Sequence, residues 1–219
     1  MKNALIINLS PRKKGTSTML AKLCQEFLNE KEHQAKIINL YPNLKDMSPI
    51  LKGINKSDTI IMIGPCYVNS FPADTVNLLE QVIKNKDILH GQNLYGIIQG
   101  GMPYIHTHES GLKMLELFSR DCNITYKGGF VIGLGAMLNG QPLEKLPNGK
   151  KVKRLFNTFL NNSANGDNSP QELYHSAQIK MPGIIYRYMA KATNKRIDKE
   201  CREKSIGNSQ HSPYFDLEE

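Results

Sequence analysis

The chain has 219 residues, of which 40% are hydrophobic and 22% are charged, so its composition excludes a disordered or a fibrous protein. It carries 28 Lys or Arg against 20 Asp or Glu, a formal net charge of +8. This excess favours anionic partners such as phosphate-bearing cofactors, acidic proteins or nucleic acid. The four cysteines, at positions 24, 66, 122 and 201, include no pair with the C-x₂-C spacing of a zinc or iron–sulfur site. We therefore expect no metal site and no disulfide framework.

The cellular location is predicted from the cysteines and the apolar segments. Isolated thiols are typical of a reducing cytosol. The first residues lead into a short apolar stretch that lacks the longer hydrophobic region and cleavage site of a secretion signal. No run approaches the length of a membrane-spanning helix. These features predict a soluble cytoplasmic protein without a membrane span.

The hydrophobic pattern alternates between strand and helix periods. In chain order it predicts strand Ala4–Leu9, helix Thr18–Glu32, strand Ala35–Leu40, a weak helical turn Pro49–Ile54, strand Thr59–Gly64, helix Pro72–Lys86, strand Leu94–Gln99, helix Ser110–Asp121, strand Phe130–Gly135 and helix Lys150–Asn162. The first, third and fifth strands are almost continuously apolar, which is typical of strands buried on both faces. The alternation predicts right-handed crossovers and a doubly wound parallel sheet.

The number of strands favours one arrangement of this sheet. Five strands fit the flavodoxin-like order 2-1-3-4-5, an α/β three-layer sandwich, better than a six-stranded dinucleotide fold. In such a sheet a ligand lies beyond the carboxyl ends of the strands, near the switch point between the first and third strands. The loops after Leu9, Gly64 and Gln99 are therefore predicted to form the site.

The amino-acid composition changes after the last predicted helix of this domain. Residues 161–170 form a polar segment with turn chemistry, and Gly183–Lys204 predicts a basic amphipathic helix. We predict a domain over residues 1–162, and a linker with a C-terminal helical extension or arm over residues 163–219, whose last part, 205–219, is loosely ordered. The basic helix could contact nucleic acid or an acidic membrane. A solvated face with its apolar side on the domain or on a second subunit is the preferred interpretation.

The loop after the first strand carries the strongest chemical signal. It is rich in hydroxyl and basic side chains and precedes a helix, whose first N–H groups and dipole favour an anion. Gly15 permits a close or left-handed turn, and Arg12 offers a charge-assisted bond to phosphate oxygens. Neither a Walker A loop nor a G-x-G-x-x-G fingerprint is present. The loop predicts phosphate binding by Ser10, Arg12, Gly15, Thr16, Ser17 and Thr18, with a capped, solvated turn as the alternative.

Three loops, each following a predicted strand, together resemble a known family over about residues 3–160: the flavodoxin-like NAD(P)H-dependent FMN reductases, with their quinone-reductase and iron–sulfur flavoprotein relatives. Ser10-Pro11-Arg12 with Gly15-Thr16-Ser17 before Leu20 is similar to the family's S-P-R-x-x-G-N-[ST]-x-x-L, with Thr16 where Asn is common. The segment from Gly64 to Pro72, GPCYVNSFP, resembles the P-x-Y loop that borders the flavin. Gln99-Gly100-Gly101-Met102 is similar to the glycine pair after strand four.

The resemblance implies an oxidoreductase that binds FMN non-covalently and takes electrons from NADPH or NADH. It places the flavin ring against Pro65, Cys66, Tyr67, Val68, Asn69, Gly100 and Gly101. It implies no catalytic acid or base, because hydride passes directly from nicotinamide to flavin. The acceptor would be a small molecule, namely a quinone, free flavin, or a nitro or azo compound, and the protein would be a homodimer or homotetramer. Because residues 41–57 contain no cysteine, we expect no iron–sulfur cluster.

Two other functions stay open. A flavodoxin-type electron carrier would serve a protein partner through its basic face, although Arg12 and the net charge of +8 point away from flavodoxins. A flavin-free regulator would bind nucleic acid through the basic helix, a partner that we do not expect. Cys66 is interpreted as a small filler rather than a redox group, and the segment His106–Glu109 as a solvated loop. Tyr104 could cover the ring, and His106 could lie near substrate.

Overall fold

A computed structural model describes residues 2–178 and 182–204. Its centre is a five-stranded sheet in the order β2-β1-β3-β4-β5 in which every neighbouring pair is parallel. The strands are β1 Asn3–Asn8, β2 Gln34–Asn39, β3 Thr59–Pro65, β4 Gln92–Gln99 and β5 Ile124–Ile132. The predicted α/β class and the predicted order 2-1-3-4-5 are confirmed.

Eight α-helices connect or follow these strands within the described residues. They are α1 Thr16–Glu30, α2 Ser48–Asn55, α3 Ala73–Lys84, α4 Glu109–Arg120, α5 Gly135–Leu138, α6 Gly149–Asn165, α7 Gln171–Ser176 and α8 Gly183–Glu203. The amphipathic stripes at helical spacing predicted α1, α3, α4, α6 and α8 to within about three residues. None of the helices between residues 2 and 178 or between 182 and 204 is long and apolar enough to cross a membrane.

The core forms because the inner strands have almost no solvent-facing side. Every residue of β3 is buried, and β1 is buried at all positions after Asn3. An aromatic cluster joins the sheet to α6, with ring centroids 5.3 Å apart for Phe130 and Phe156 and 5.9 Å apart for Tyr95 and Phe159. Edge-to-face pairs of this kind add to the stability gained from burying their surface. This packing fixes the sheet edge at which the predicted loops meet.

Strand β5 begins six residues earlier than predicted and ends three residues earlier. Lys127, Gly128 and Gly129 interrupt the apolar pattern in the middle of the strand, and a bulge shifts its register opposite Leu94 and Tyr95. Gly128 has a φ of 110° and lies against the Ser169 carbonyl, which occupies the space of a β-carbon. The strand ends at Ile132 because Leu134, at a φ of 58°, turns the chain into α5.

The chain divides into one compact unit over residues 1–179 and a second over residues 180–219. The predicted boundary after residue 162 falls inside α6, which ends where Gly166 adopts a φ of 83°. Residues 166–178 belong to the first unit: the Tyr95 hydroxyl donates to the Asp167 carbonyl at 2.7 Å, and Tyr174 is buried against Phe130. The common role assigned to residues 163–219 stays a prediction, and the loose order expected for 205–219 lies outside the described residues.

Candidate functional site

The carboxyl ends of β1, β3 and β4 surround a cavity of about 210 Å³. It is lined by ten of the thirteen residues predicted from the sequence: Ser10, Arg12, Gly15, Thr16, Ser17, Pro65, Cys66, Tyr67, Gly100 and Gly101. Gln99, Ala136 and Asn139 complete the lining. The parallel register places these loops side by side, since Asn8 pairs with Ile63 and Pro65 pairs with Gln99. The three loops singled out by the sequence thus share one cavity.

The conformation of the β1 loop is fixed by hydrogen bonds from side chains to its own backbone and to strand β2. Asn8 is buried, accepts a bond from the Ser10 amide at 3.2 Å and donates to the Asn39 side chain at 2.9 Å. The Ser10 hydroxyl oxygen accepts from the Arg12 amide at 3.2 Å. Asn8 was missed in the sequence because it lies within the apolar run. A buried amide that cannot be solvated there needs such partners.

Helix α1 begins at the cavity with its first amides available. Gly15 precedes it with a φ of 150°, a conformation open mainly to glycine. Among the described residues no side chain caps this helix. Its first backbone hydrogen bond runs from the Met19 amide to the Gly15 carbonyl at 3.0 Å. The alternative in which Thr16, Ser17 or Thr18 caps the helix is therefore not what the structure shows. The amides of Thr16 and Ser17 can bind an anion.

The three hydroxyls of this first turn have different surroundings. The Thr16 hydroxyl donates to the Gly135 carbonyl at 2.8 Å, which ties α1 to the start of α5. The Thr18 hydroxyl donates to the Lys13 carbonyl at 3.4 Å, and Thr18 does not line the cavity. The Ser17 hydroxyl oxygen accepts from the Gln99 amide at 3.3 Å and keeps its own proton to donate. Ser17 is thus the hydroxyl best placed to donate to a ligand.

The charge of the cavity suits an anion. Among the described residues that line it, Arg12 is the one cation and there is no carboxylate. The Oε1 atom of the Gln99 side-chain amide is buried without a partner among the described residues. A buried polar atom of this kind is stabilised when a ligand or water pairs with it. The lining therefore combines a positive end with an unsatisfied polar group.

The β3 loop ends in a tight turn at the edge of the cavity. Tyr67 and Ser70 exchange backbone bonds of 2.7 and 3.1 Å, and Val68 and Asn69 both have positive φ, at 50° and 64°. This is the geometry of a type I′ turn, in which a β-branched residue is strained. The Val68 side chain is 99% exposed. Val68 and Asn69 do not line the cavity, and the ring contacts predicted for them stay predictions.

The two glycines of the β4 loop face different surroundings. A β-carbon on Gly100 would clash with Nε2 of His108, so this glycine makes room for the imidazole. A β-carbon on Gly101 would meet only the Ala136 side chain, at 3.9 Å. The resemblance drawn from the sequence predicts that both glycines border the flavin ring. At Gly100 the His108 imidazole accounts for the missing side chain, and the ring contacts predicted for both glycines stay predictions.

His108 is a buried histidine and not part of a solvated loop. Its Nδ1 lies 2.8 Å from the Thr107 hydroxyl and 3.2 Å from the Tyr104 carbonyl, while Nε2 has no partner among the described residues. Desolvation lowers the pKa of His108, which keeps the ring neutral at neutral pH. The solvated-loop interpretation is therefore wrong for His108, although His106 is exposed. No sequence pattern marks this burial, because the packing partner, Gly100, carries no side chain.

Cys66 contributes a protonated thiol to the cavity. Burial raises its pKa, and the thiol lies 3.6 Å from the Thr107 carbonyl, to which it donates a weak bond. A thiol with a raised pKa is a poor nucleophile at neutral pH. The interpretation of Cys66 as a small filler agrees with this environment.

Within residues 2–178 and 182–204, no three His, Cys, Asp or Glu residues are grouped so that they could hold a metal ion.

Comparison with known proteins adds structural but not sequence matches. No protein-family model and no curated protein sequence matches the chain. The fold resembles that of an NADH:FMN oxidoreductase in its apo form, at 16% identity and a TM-score of 0.60, covering 80% of this chain and 94% of the other. It also resembles an NADPH-quinone reductase from P. pentosaceus, at 16% identity and a TM-score of 0.54, covering 74% and 98%.

A third similar structure contains the flavin itself. It is an FMN-dependent NADH-azoreductase from Bacillus anthracis in complex with FMN, at 18% identity and a TM-score of 0.54, covering 72% of this chain and 99% of the other. At such identities the likeness concerns the fold, and functions must be argued from the site. The chain has the flavodoxin-like fold, and the resemblance to flavodoxin-like FMN and quinone reductases drawn from its sequence is confirmed at that level.

Proposed function

We propose that this protein is an oxidoreductase that binds FMN non-covalently and passes electrons from NADH or NADPH to a small acceptor. The observation that carries the proposal is the single cavity formed by the three loops, lined by Arg12 and by no carboxylate among the described residues. Three similar structures are named as an NADH:FMN oxidoreductase, an NADPH-quinone reductase and an FMN-dependent azoreductase. These names support a flavin reductase and leave the acceptor open among quinones, flavins, nitro and azo compounds.

The phosphate of FMN would lie at the start of α1. The free amides of Thr16 and Ser17, the Ser17 hydroxyl and the Arg12 guanidinium would donate to its oxygens. Thr16 would act through its amide, because its hydroxyl is bonded to the Gly135 carbonyl. The side-chain amide of Gln99 donates to Ser17 through Nε2, and its Oε1 atom is unsatisfied among the described residues. This atom would pair with the hydroxyl-bearing chain that joins phosphate to ring.

The ring of FMN would lie between the β3 and β4 loops. Pro65 and Tyr67 present apolar surface at the cavity, and Gly101 leaves the backbone open to close approach. Bound FMN supplies the centre that accepts hydride from a nicotinamide and returns electrons to an acceptor. The chain's own residues hold the cofactor, orient it and exclude water from one side. No proton transfer by a side chain is needed for that role.

The state of assembly and the location of the protein belong to the same proposal. A homodimer or homotetramer, as in the resembling family, would place exposed apolar side chains near the cavity, such as Tyr67 and Met102, against a second copy. A cytoplasmic location would provide the nicotinamides. Sedimentation at several protein concentrations tests the assembly independently of the flavin.

Removal of Arg12 tests the proposed site. We expect Arg12→Ala to weaken FMN binding by about 1–3 kcal/mol, the scale of a hydrogen bond to a charged group, as measured by titration of FMN into the protein. Arg154→Ala is the matched control, since Arg154 is an exposed arginine on α6 outside the cavity. Equal FMN affinity for the Arg12 variant and the wild type would remove Arg12 from the site. Absence of FMN binding by the wild type would refute the function.

A further inference from the structure

Helix α8 is exposed at every position except Asp198 and Cys201, which are half-buried. None of the residues from Gly183 to Glu203 is buried, and the large apolar side chains Ile184 and Tyr188 are 82% and 76% exposed. Soluble proteins rarely leave contiguous apolar surface in water without a partner. In proteins most of the stability of a helix comes from packing of its apolar side chains, and α8 has no buried residue to provide it. This helix therefore has the properties of a segment that gains stability from a partner.

Two rows of side chains run along α8 at four-residue spacing. One row is basic and contains Arg187, Lys191, Lys195 and Lys199; the other contains Ile185, Met189, Thr193, Ile197 and Cys201. The rows are offset by two positions, which separates them by about 200° around an α-helix. The two rows thus lie on nearly opposite faces. The face of the second row also carries Arg196, Glu200 and Glu203, of which Arg196 and Glu200 form an ion pair at 3.6 Å, and Ile184 and Tyr188 lie on the side of the basic row. The apolar members of the second row, Ile185, Met189 and Ile197, are 40–48% exposed.

The charge of this helix selects among partners. Residues 182–204 carry seven Lys or Arg against three Asp or Glu, a net charge of +4. Two copies of α8 would therefore repel each other. A nucleic acid would neutralise the basic row but leave the apolar row in water. An anionic bilayer meets both rows at once, because its headgroups attract lysine and arginine while its acyl boundary takes apolar side chains.

We propose that α8 binds the surface of an anionic lipid bilayer and lies in the plane of the membrane. Ile185, Met189 and Ile197 enter the boundary between headgroups and acyl chains, and the long stems of the lysines in the basic row let their ammonium groups reach the headgroups. The compact unit formed by residues 1–179 would then be held at the membrane. This binding does not depend on the presence of a flavin.

Vesicle sedimentation of the full chain tests this proposal. Vesicles of phosphatidylcholine alone are compared with vesicles that contain equal amounts of phosphatidylcholine and phosphatidylglycerol. We expect binding to the anionic vesicles only. The triple variant K191E/K195E/K199E should lower the partition coefficient by roughly a hundredfold or more, whereas K45E/K84E/K151E, which changes the net charge equally at exposed lysines of the first unit, should bind as the wild type does.

A second pair of variants tests the apolar row without changing any charge. I185S/M189S/I197S should lower binding to the anionic vesicles at least tenfold. V76S/I83S/L117S, which removes similarly exposed apolar side chains from α3 and α4, should not. Equal binding to both vesicle types, no binding, or equal losses for the two triple lysine variants would overturn the proposal.

Two further outcomes would assign the helix to another partner and overturn the membrane proposal. In the first, the chain binds a DNA duplex through the lysines of the basic row and does not bind vesicles. In the second, I185S/M189S/I197S turns a dimer into a monomer in sedimentation equilibrium while vesicle binding is absent.

Discussion

The contact between Gly100 and His108 cannot be recognised from the sequence around either residue. A β-carbon at position 100 would overlap Nε2 of the imidazole, whereas at position 101 the nearest atom would be 3.9 Å away. We expect Gly100→Ala to lower the free energy of unfolding by about 1–3 kcal/mol, as overpacking does, and Gly101→Ala to change it little. Urea unfolding of the flavin-free protein measures both.

A double variant separates this contact from a general effect of the loop. His108→Ala removes the imidazole, so the added methyl group of Gly100→Ala should destabilise the double variant less than it destabilises the wild type. Additive losses would show that Gly100 is required for another reason. The comparison needs no cofactor and therefore stands apart from the proposed function.

Protonation of His108 should make stability depend on pH. Burial lowers its pKa in the folded protein below the ordinary value of 6.5, so the unfolded chain binds the proton more readily. The neutral ring's contribution is complete above about pH 6.5 and decreases as the pH falls from there toward the folded-state pKa. His108→Asn keeps a donor near Nδ1 and does not titrate. The stability of the wild type relative to this variant should therefore fall below about pH 6.5 in urea unfolding; a constant difference would contradict the buried neutral histidine.

At the scale of elements, α7 belongs to the compact unit although it follows a polar segment of the chain. Tyr174 and Ala177 are buried, and the Tyr174 ring lies 6.5 Å from that of Phe130. A truncation after residue 179 should leave the first unit folded with a melting temperature close to that of the full chain. A truncation after residue 170 should lower the free energy of unfolding by about 3 kcal/mol or more, as deletion of a large core side chain does, and should therefore lower the melting temperature. Equal melting temperatures for the two truncations would show that α7 does not cover the core.

The strands differ in how well the sequence predicts them, and burial explains the difference. β3 is buried throughout, so its apolar run marks it almost to the residue. The apolar run of β5 is interrupted near its middle, where Gly128 lies against Ser169 and Gly129 lies against the Gly96 carbonyl and Leu112. No local pattern reveals partners so far away in the chain. Helices with an apolar stripe were located well, and the buried tyrosine of the six-residue α7 was missed because it follows a polar segment.

At the scale of the whole molecule, the order of the loops predicted where the cavity lies. Parallel strands bring their carboxyl ends to one edge of the sheet, so three motifs that each follow a strand had to meet there. Contacts within the cavity could not be predicted in the same way. The bond from Thr16 to Gly135, the bond from Asn8 to Asn39 and the contact of His108 with Gly100 all join residues that are distant in the sequence or on different elements. They depend on packing that only the folded chain shows.

The most direct test of the central claim is the visible absorbance of the purified protein with FMN, recorded without oxygen before and after addition of NADH or NADPH. We expect the protein to retain FMN through gel filtration and its flavin band to bleach when at least one nicotinamide is added, while free FMN bleaches far more slowly. A retained flavin whose band persists with both nicotinamides would contradict the reductase and favour an electron carrier. Failure to retain FMN at all would contradict the assignment of the cavity.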